Sequence, residues 1–245
     1  MSYASKFAIG GALLLALAAC SDPKAAKTQT PPPAGEASAA APAPAKPPAD
    51  LPAGEYKLDK SHADLSFKLS HLGFSWYTAR FSDFDVKLNL DPKAPAAASV
   101  EASIKTSSLT LPAPPPGFTD ELLGAEWLDA AKYRAITFRS TKVETTGPDT
   151  ADVSGNLTLH GVTKPVTLKA KFNGGYAGFP PMDPNARIGF SLSGSFKRSD
   201  FGVSYGVPKP GSTMGVGDEV TVAIEAELLK PNPPAATAPA APANP

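Results

Sequence analysis

Cysteine is almost missing from this chain: Cys20 is the only one in 245 residues. No intramolecular disulfide can therefore staple the fold. A surplus of either charge is also missing, with 23 basic and 23 acidic side chains. No basic patch or charge block stands out, so nucleic-acid binding lacks its electrostatic requirement. No apolar run reaches the roughly twenty residues of a transmembrane helix. Histidine is scarce, with only His62, His71 and His160. None sits in a His-x-x-x-His pair or beside a carboxylate cluster, so no metal centre is expected. No Gly-x-Ser-x-Gly elbow stands in a strand-to-helix context, and no glycine loop precedes a helix to cradle phosphate. Neither catalysis nor a cofactor is expected from these motifs.

What is present begins with Lys6 and the apolar run Phe7–Ala19, which together have the build of a secretory signal over residues 1–19. The junction Leu17-Ala18-Ala19-Cys20 resembles the lipobox of bacterial lipoprotein signals. That resemblance implies cleavage before Cys20, acylation of its thiol and amine, and a membrane anchor of several acyl chains, palmitate among the usual ones. More than one chain gives stable anchoring. Ser21 rather than Asp follows the cysteine, with Asp22 one place later. By the same resemblance this favours the outer membrane, facing the periplasm.

Residues 20–53 are dominated by Ala and Pro, as in Pro31-Pro32-Pro33, and residues 21–52 contain no aromatic side chain. Such a stretch cannot bury enough apolar surface to offset its ordering entropy. A semi-rigid tether is expected, reaching about 30 Å as a coil and about 100 Å as polyproline helix. The tail, residues 231–245, has the same character.

Residues 54–230 form one domain-sized unit, in which the dominant period is two. Ala63, Leu65, Phe67 and Leu69 alternate with Asp64, Ser66 and Lys68. Further runs carry Val100–Ile104, Val153–Leu159, Val166–Phe172, Ile188–Phe196 and Val220–Leu228. Each reads as a half-buried strand. Parity changes between Phe81 and Phe84, which predicts a bulge or bend at Ser82-Asp83. One stretch, Phe118–Tyr133, has apolar residues spaced by three and four, with Thr119 as a possible cap and Gly124 splitting it. Eight or nine strands with short connections give an all-β, antiparallel barrel or sandwich with a short helical insertion. Eight strands enclose room for side chains or for one small ligand.

Several segments in order resemble the YceI-like family of lipocalin-like periplasmic barrels. They are Tyr56-Lys57-Leu58-Asp59 with Ser61-His62, His71-Leu72-Gly73-Phe74-Ser75 with Phe81, and Tyr133 with Ile136-Thr137-Phe138. The run Gly155–Val166 and the loop Arg198-Ser199-Asp200-Phe201-Gly202 complete the set. Ala79 and Arg134 stand where the family usually has Gly and often Pro, and Ala79 is expected to alter a local bend.

The resemblance implies an isoprenoid-type lipid partner, a polyprenyl phosphate or a quinone tail, held inside the barrel for carriage or storage. Inward parity nominates Leu65, Phe67, Leu69, Phe84, Ile104, Phe138, Leu157, Phe190 and Leu192 as its wall, or else as plain core. His71 continues that parity, as a head-group contact near Arg198 or Asp200 or as a structural histidine. The glycine-bearing segments 202–206 and 211–217 are flexible connections or a rim with Phe201, Tyr205 and Met214 as apolar contacts. Two other readings stay open: a packed barrel that recognises another envelope protein, and an enzyme acting on a lipid head group through His71 and Asp200. Oligomeric state is left undetermined.

Overall fold

The computed structural model describes residues 50–231. Cys20, the expected leader, most of the tether and nearly all of the tail lie outside the described residues.

Alternation is realised as ten strands: β1 (Gly54–His71), β2 (Ser75–Phe81), β3 (Phe84–Leu90), β4 (Ser99–Lys105), β5 (Leu109–Thr110), β6 (Ala135–Thr145), β7 (Thr150–Leu159), β8 (Val162–Tyr176), β9 (Ala186–Lys197) and β10 (Glu219–Lys230). The hydrogen-bonded circle runs β1, β10, β9, β8, β7, β6, β4, β3 and back to β1. Every pairing is antiparallel. The expected barrel is therefore closed with eight strands, and closure removes the open edges that invite aggregation.

β1 serves two neighbours on one side. Its first half pairs with β3 (Lys57 opposite Lys87) and its second with β2 (Phe67 opposite Ala79). The break between β2 and β3 falls at Ser82-Asp83, where parity changed in the sequence. A matching irregularity lies in β1, between Leu58 and Ala63 in its register with β10. Ser61 N–H donates to Asp59 Oδ1 there (3.1 Å), which turns the strand locally. Ala79 introduces no bend of its own: it sits in regular register, 3% exposed, with its methyl inward.

The helical insertion is shorter than the sequence suggests. Only α1 (Phe118–Leu123) is helical, and Gly117, not Thr119, is its N-cap. Gly124 ends it, donating its N–H to Glu121 O (3.0 Å). Turns carry the chain onward to Tyr133.

One pole of the barrel collects the 71–75, 159–162 and 198–218 turns and the 106–134 insertion. The other collects the 91–98, 146–149 and 177–185 connections and both ends of the domain, Gly54 and Lys230. Tyr56, Leu51, Phe172, Ala186, Ile188 and Leu228 pack into a cluster beside those ends. Tyr56 is fully buried, and its hydroxyl donates to Pro52 O (2.7 Å).

A candidate binding cavity

The barrel is hollow. A cavity of about 610 Å³ lies inside it, within the range of small-molecule sites, about 300–1,000 Å³. Alternation builds it: the strands send every second side chain inward, and nearly all of those side chains are apolar. β1 contributes Leu65, Phe67, Leu69 and His71; β3 Phe84; β4 Ile104; β6 Phe138; β7 Leu157; β9 Phe190 and Leu192. The wall reaches from Thr145 and Pro95 at the chain-end pole to His71, Trp127 and Arg198 at the other, so the space runs the length of the barrel.

Phe201 is placed differently from the sequence reading. It belongs to a 3₁₀ turn, residues 198–201, that swings its ring into the core. There it is 1% exposed, edge-on to Phe196 at 5.3 Å, and absent from the cavity wall. Tyr205 and Met214 stay at the surface. Asp200 does not line the cavity either; it is exposed, 4.0 Å from Lys164. The pairing of His71 with Asp200 that the enzyme reading requires is therefore not built. Among the described residues no carboxylate, serine, lysine or cysteine lines the cavity.

The polar side chains in the wall are His71, Tyr77, Trp127, Thr145 and Arg198. Arg198, a residue the sequence offered only as a neighbour of His71, is 3% exposed. Its Nε donates to Gly217 O (2.9 Å), Nη1 to Val203 O (2.9 Å) and Tyr205 O (2.8 Å), and Nη2 to Val216 O (2.8 Å). These bonds hold the 202–217 loop over one end of the cavity, which Val203 and Val216 help to line. Burial pushes the guanidinium below its usual pKa, while the charge of Asp218 acts the other way. Trp127 lies against Arg198, with the guanidinium carbon 5.2 Å from its ring. His160 has positive φ (50°), and its ring meets Tyr133 edge-on at 4.6 Å, so it braces a turn.

One polar cluster escaped the sequence altogether. Asp59, His62 and Glu227 bring ligand atoms within 4.8 Å of one another. Arg187 Nη1 bonds both carboxylates, and His62 Nδ1 lies 2.9 Å from Asp59 Oδ2. The guanidinium already supplies the positive charge that such carboxylates attract.

Known proteins share this architecture. The YceI-like domain family matches residues 56–228. An UPF0312 protein of Pseudomonas putida strain W619 is 42% identical over 163 residues, covering 66% of this chain and 80% of that one. A crystal structure of the Campylobacter jejuni YCEI protein aligns at TM-score 0.56 and 30% identity, covering 71% of this chain and 97% of that one. A polyisoprenoid binding domain from Saccharophagus degradans, implicated in plant cell wall breakdown, aligns at TM-score 0.54 and 16% identity, covering 74% and 100%.

Proposed function

This chain belongs to the YceI-like family, and from that premise we propose that its barrel binds a long-chain isoprenoid lipid as a carrier or store. One observation carries the reading: a continuous apolar cavity whose wall holds a single formally charged side chain, Arg198. An apolar chain needs nothing more, since each buried CH₂ contributes about 0.8 kcal/mol. The structural relative named for polyisoprenoid binding supports the ligand class. The family barrel is a binding fold, and no catalytic constellation lines this one among the described residues. A packed barrel serving only as a protein-interaction module would have a filled interior; the cavity weighs against it.

The finer parts of the proposal rest on the sequence. Acylated Cys20 anchors the protein in the envelope, at the periplasmic face of the outer membrane, and the Ala/Pro tether lets the barrel work near that surface. The ligand is a polyprenyl phosphate or the tail of a quinone.

The test is organic extraction and mass spectrometry of the protein purified from its native envelope. An isoprenoid recovered in near-stoichiometric amount is expected. Absence of any bound lipid, together with failure to bind an added prenyl chain, overturns the reading.

A further inference from the structure

We propose that the barrel docks on an anionic bilayer through the 71–75 turn and the 202–217 loop, with Phe74, Trp76, Tyr205 and Met214 entering the interface. The inference goes beyond the lipid-binding reading: it names a surface of the protein and does not depend on what the cavity holds.

Exposure is the starting point. Large apolar side chains gain by burial, so a group of them left in water marks an interaction site. Phe74 is 79% exposed, Met214 64%, Trp76 60% and Tyr205 51%. They converge from two segments that the fold ties together. Leu72 N–H donates to Gly215 O (2.8 Å), and His71 bridges to Val216. Thr213 lies against Gly73.

The turn that carries Phe74 is stiff. Leu72 and Gly73 are both at positive φ (56° and 72°), and Phe74 N–H closes the turn on His71 O (2.9 Å). This is the two-residue hairpin whose twist matches its flanking strands. Phe74 therefore projects from a fixed support, and little backbone freedom is lost when it inserts.

Charge selects the partner. Residues 65–82 and 202–217 hold Lys68, Arg80 and Lys209 and no acidic side chain. Arg80 pairs with Asp64 (3.5 Å). Lys68 and Lys209 form no ion pair among the described residues, and Lys68 Nζ lies 5.5 Å from the Trp76 ring centre. The acids of this pole, such as Glu126 and Asp129, belong to the helical insertion. Aromatic rings flanked by lysines suit the head-group region, where amphipathic rings settle and anionic lipids attract cations. The opposite pole also exposes apolar side chains, Phe179 and Met182. Its three connections carry Asp91, Asp149 and Asp183 against Lys93, a balance that an anionic surface repels. The docking pole also continues into the cavity, whose wall includes His71 and Val216, so a docked barrel turns one end of its lumen toward the bilayer.

The test is fluorescence of the full-length protein on vesicles. The chain has two tryptophans, Trp76 and Trp127. Trp127→Phe leaves Trp76 as the sole indole, so contact of residues 1–49 with lipid is silent. The vesicles hold equal parts of phosphatidylglycerol and a phosphatidylcholine brominated near the head-group end of its acyl chains. The bromines should quench Trp76, and its emission should move to the blue. High salt, or vesicles of the phosphatidylcholine alone, should weaken the effect. Phe74→Ser should lower the docked-to-free ratio about tenfold, the scale of one withdrawn aromatic side chain, while Phe179→Ser at the other pole leaves it unchanged. An unquenched Trp76, or equal loss in the two variants, overturns the docking surface. Light scattering without vesicles covers the rival occupant: a dimer that Phe74→Ser dissolves assigns the patch to a second copy and also overturns it. Prenyl binding in detergent should be the same in Phe74→Ser and its parent, so an overturned docking surface leaves the lipid-binding reading standing.

Discussion

Arg187 Nη1 lies 2.8 Å from Asp59 Oδ2, joining β9 to the irregular segment of β1 across the intervening β10. Glu227 of β10 accepts from the same nitrogen, and Asp183 accepts from Nε at 3.2 Å. The staple sits at the seam where the first and last strands close the barrel. The Ser61 hydroxyl, then Arg187, hold the Asp59 carboxyl well below the usual carboxylate range. A bond from Tyr176 lowers Asp183 in the same direction.

That shift fixes the sign of an acid effect. A carboxylate with a depressed folded pKa contributes its full stability above the unfolded value, about 3.9. The contribution is lost as pH falls from there toward the folded value. The urea midpoint should therefore drop steeply below about pH 4. Asp59→Asn should lose about 1–2 kcal/mol at neutral pH and show a shallower drop in acid. An identical acid profile in the variant would mean that the seam is not held by this carboxylate.

Gly155 tests the packing of β6 against β7. A Cβ there would collide with Phe138 Cζ and lie 2.6 Å from Arg139 O. The aromatic ring occupies the space that any other residue would need. Gly155→Ala should cost about 1–3 kcal/mol through forced displacement, read by chemical denaturation.

Ala102 probes the cavity. It lines the space from β4, opposite Val86 and Phe138 in the sheet register. Ala102→Trp puts an indole into the lumen in place of the ligand chain. Binding of a fluorescent prenyl analogue should fall by about tenfold or more, equivalent to losing about two buried CH₂ groups, while far-ultraviolet circular dichroism keeps the β signal.

The proposed acyl anchor at Cys20 can be tested apart from the site. Cys20→Ala should move the protein from the membrane pellet to the soluble fraction of a fractionated envelope. Prenyl binding by the released protein should match that of wild-type protein in detergent. Loss of binding along with the anchor would tie the two together.

The antiparallel strands are legible in the sequence because the pleat imposes a period of two, while the choice of barrel over sandwich comes from the family resemblance. Leu65, Phe67 and Leu69 had to share a face, and a closed sheet has one inner face. The bend at Ser82-Asp83 was legible for the same reason, since a parity change must be absorbed somewhere. The helical insertion is legible in part: Gly124 splits it where the sequence places the break, and only the stretch before it, Phe118–Leu123, is helical. Phe201 was misplaced because a glycine-flanked loop residue looks peripheral, and a single 3₁₀ turn reverses its direction. The cluster of Asp59, Arg187 and Glu227 was beyond reach, since its members are 128 and 40 residues apart and meet only after the seam closes.

Gly54 and Lys230 emerge at the same pole, close enough that a Cβ on Gly54 would lie 2.9 Å from Lys230 Nζ. The domain's beginning and end are therefore neighbours, and the connectivity of the chain is separable from the shape it encloses. A short linker between them, with a new opening in the 146–149 turn, would give a circular permutant with the same ring of strands. The same geometry makes the barrel a cassette that can be spliced into a loop of another protein without pulling that loop apart.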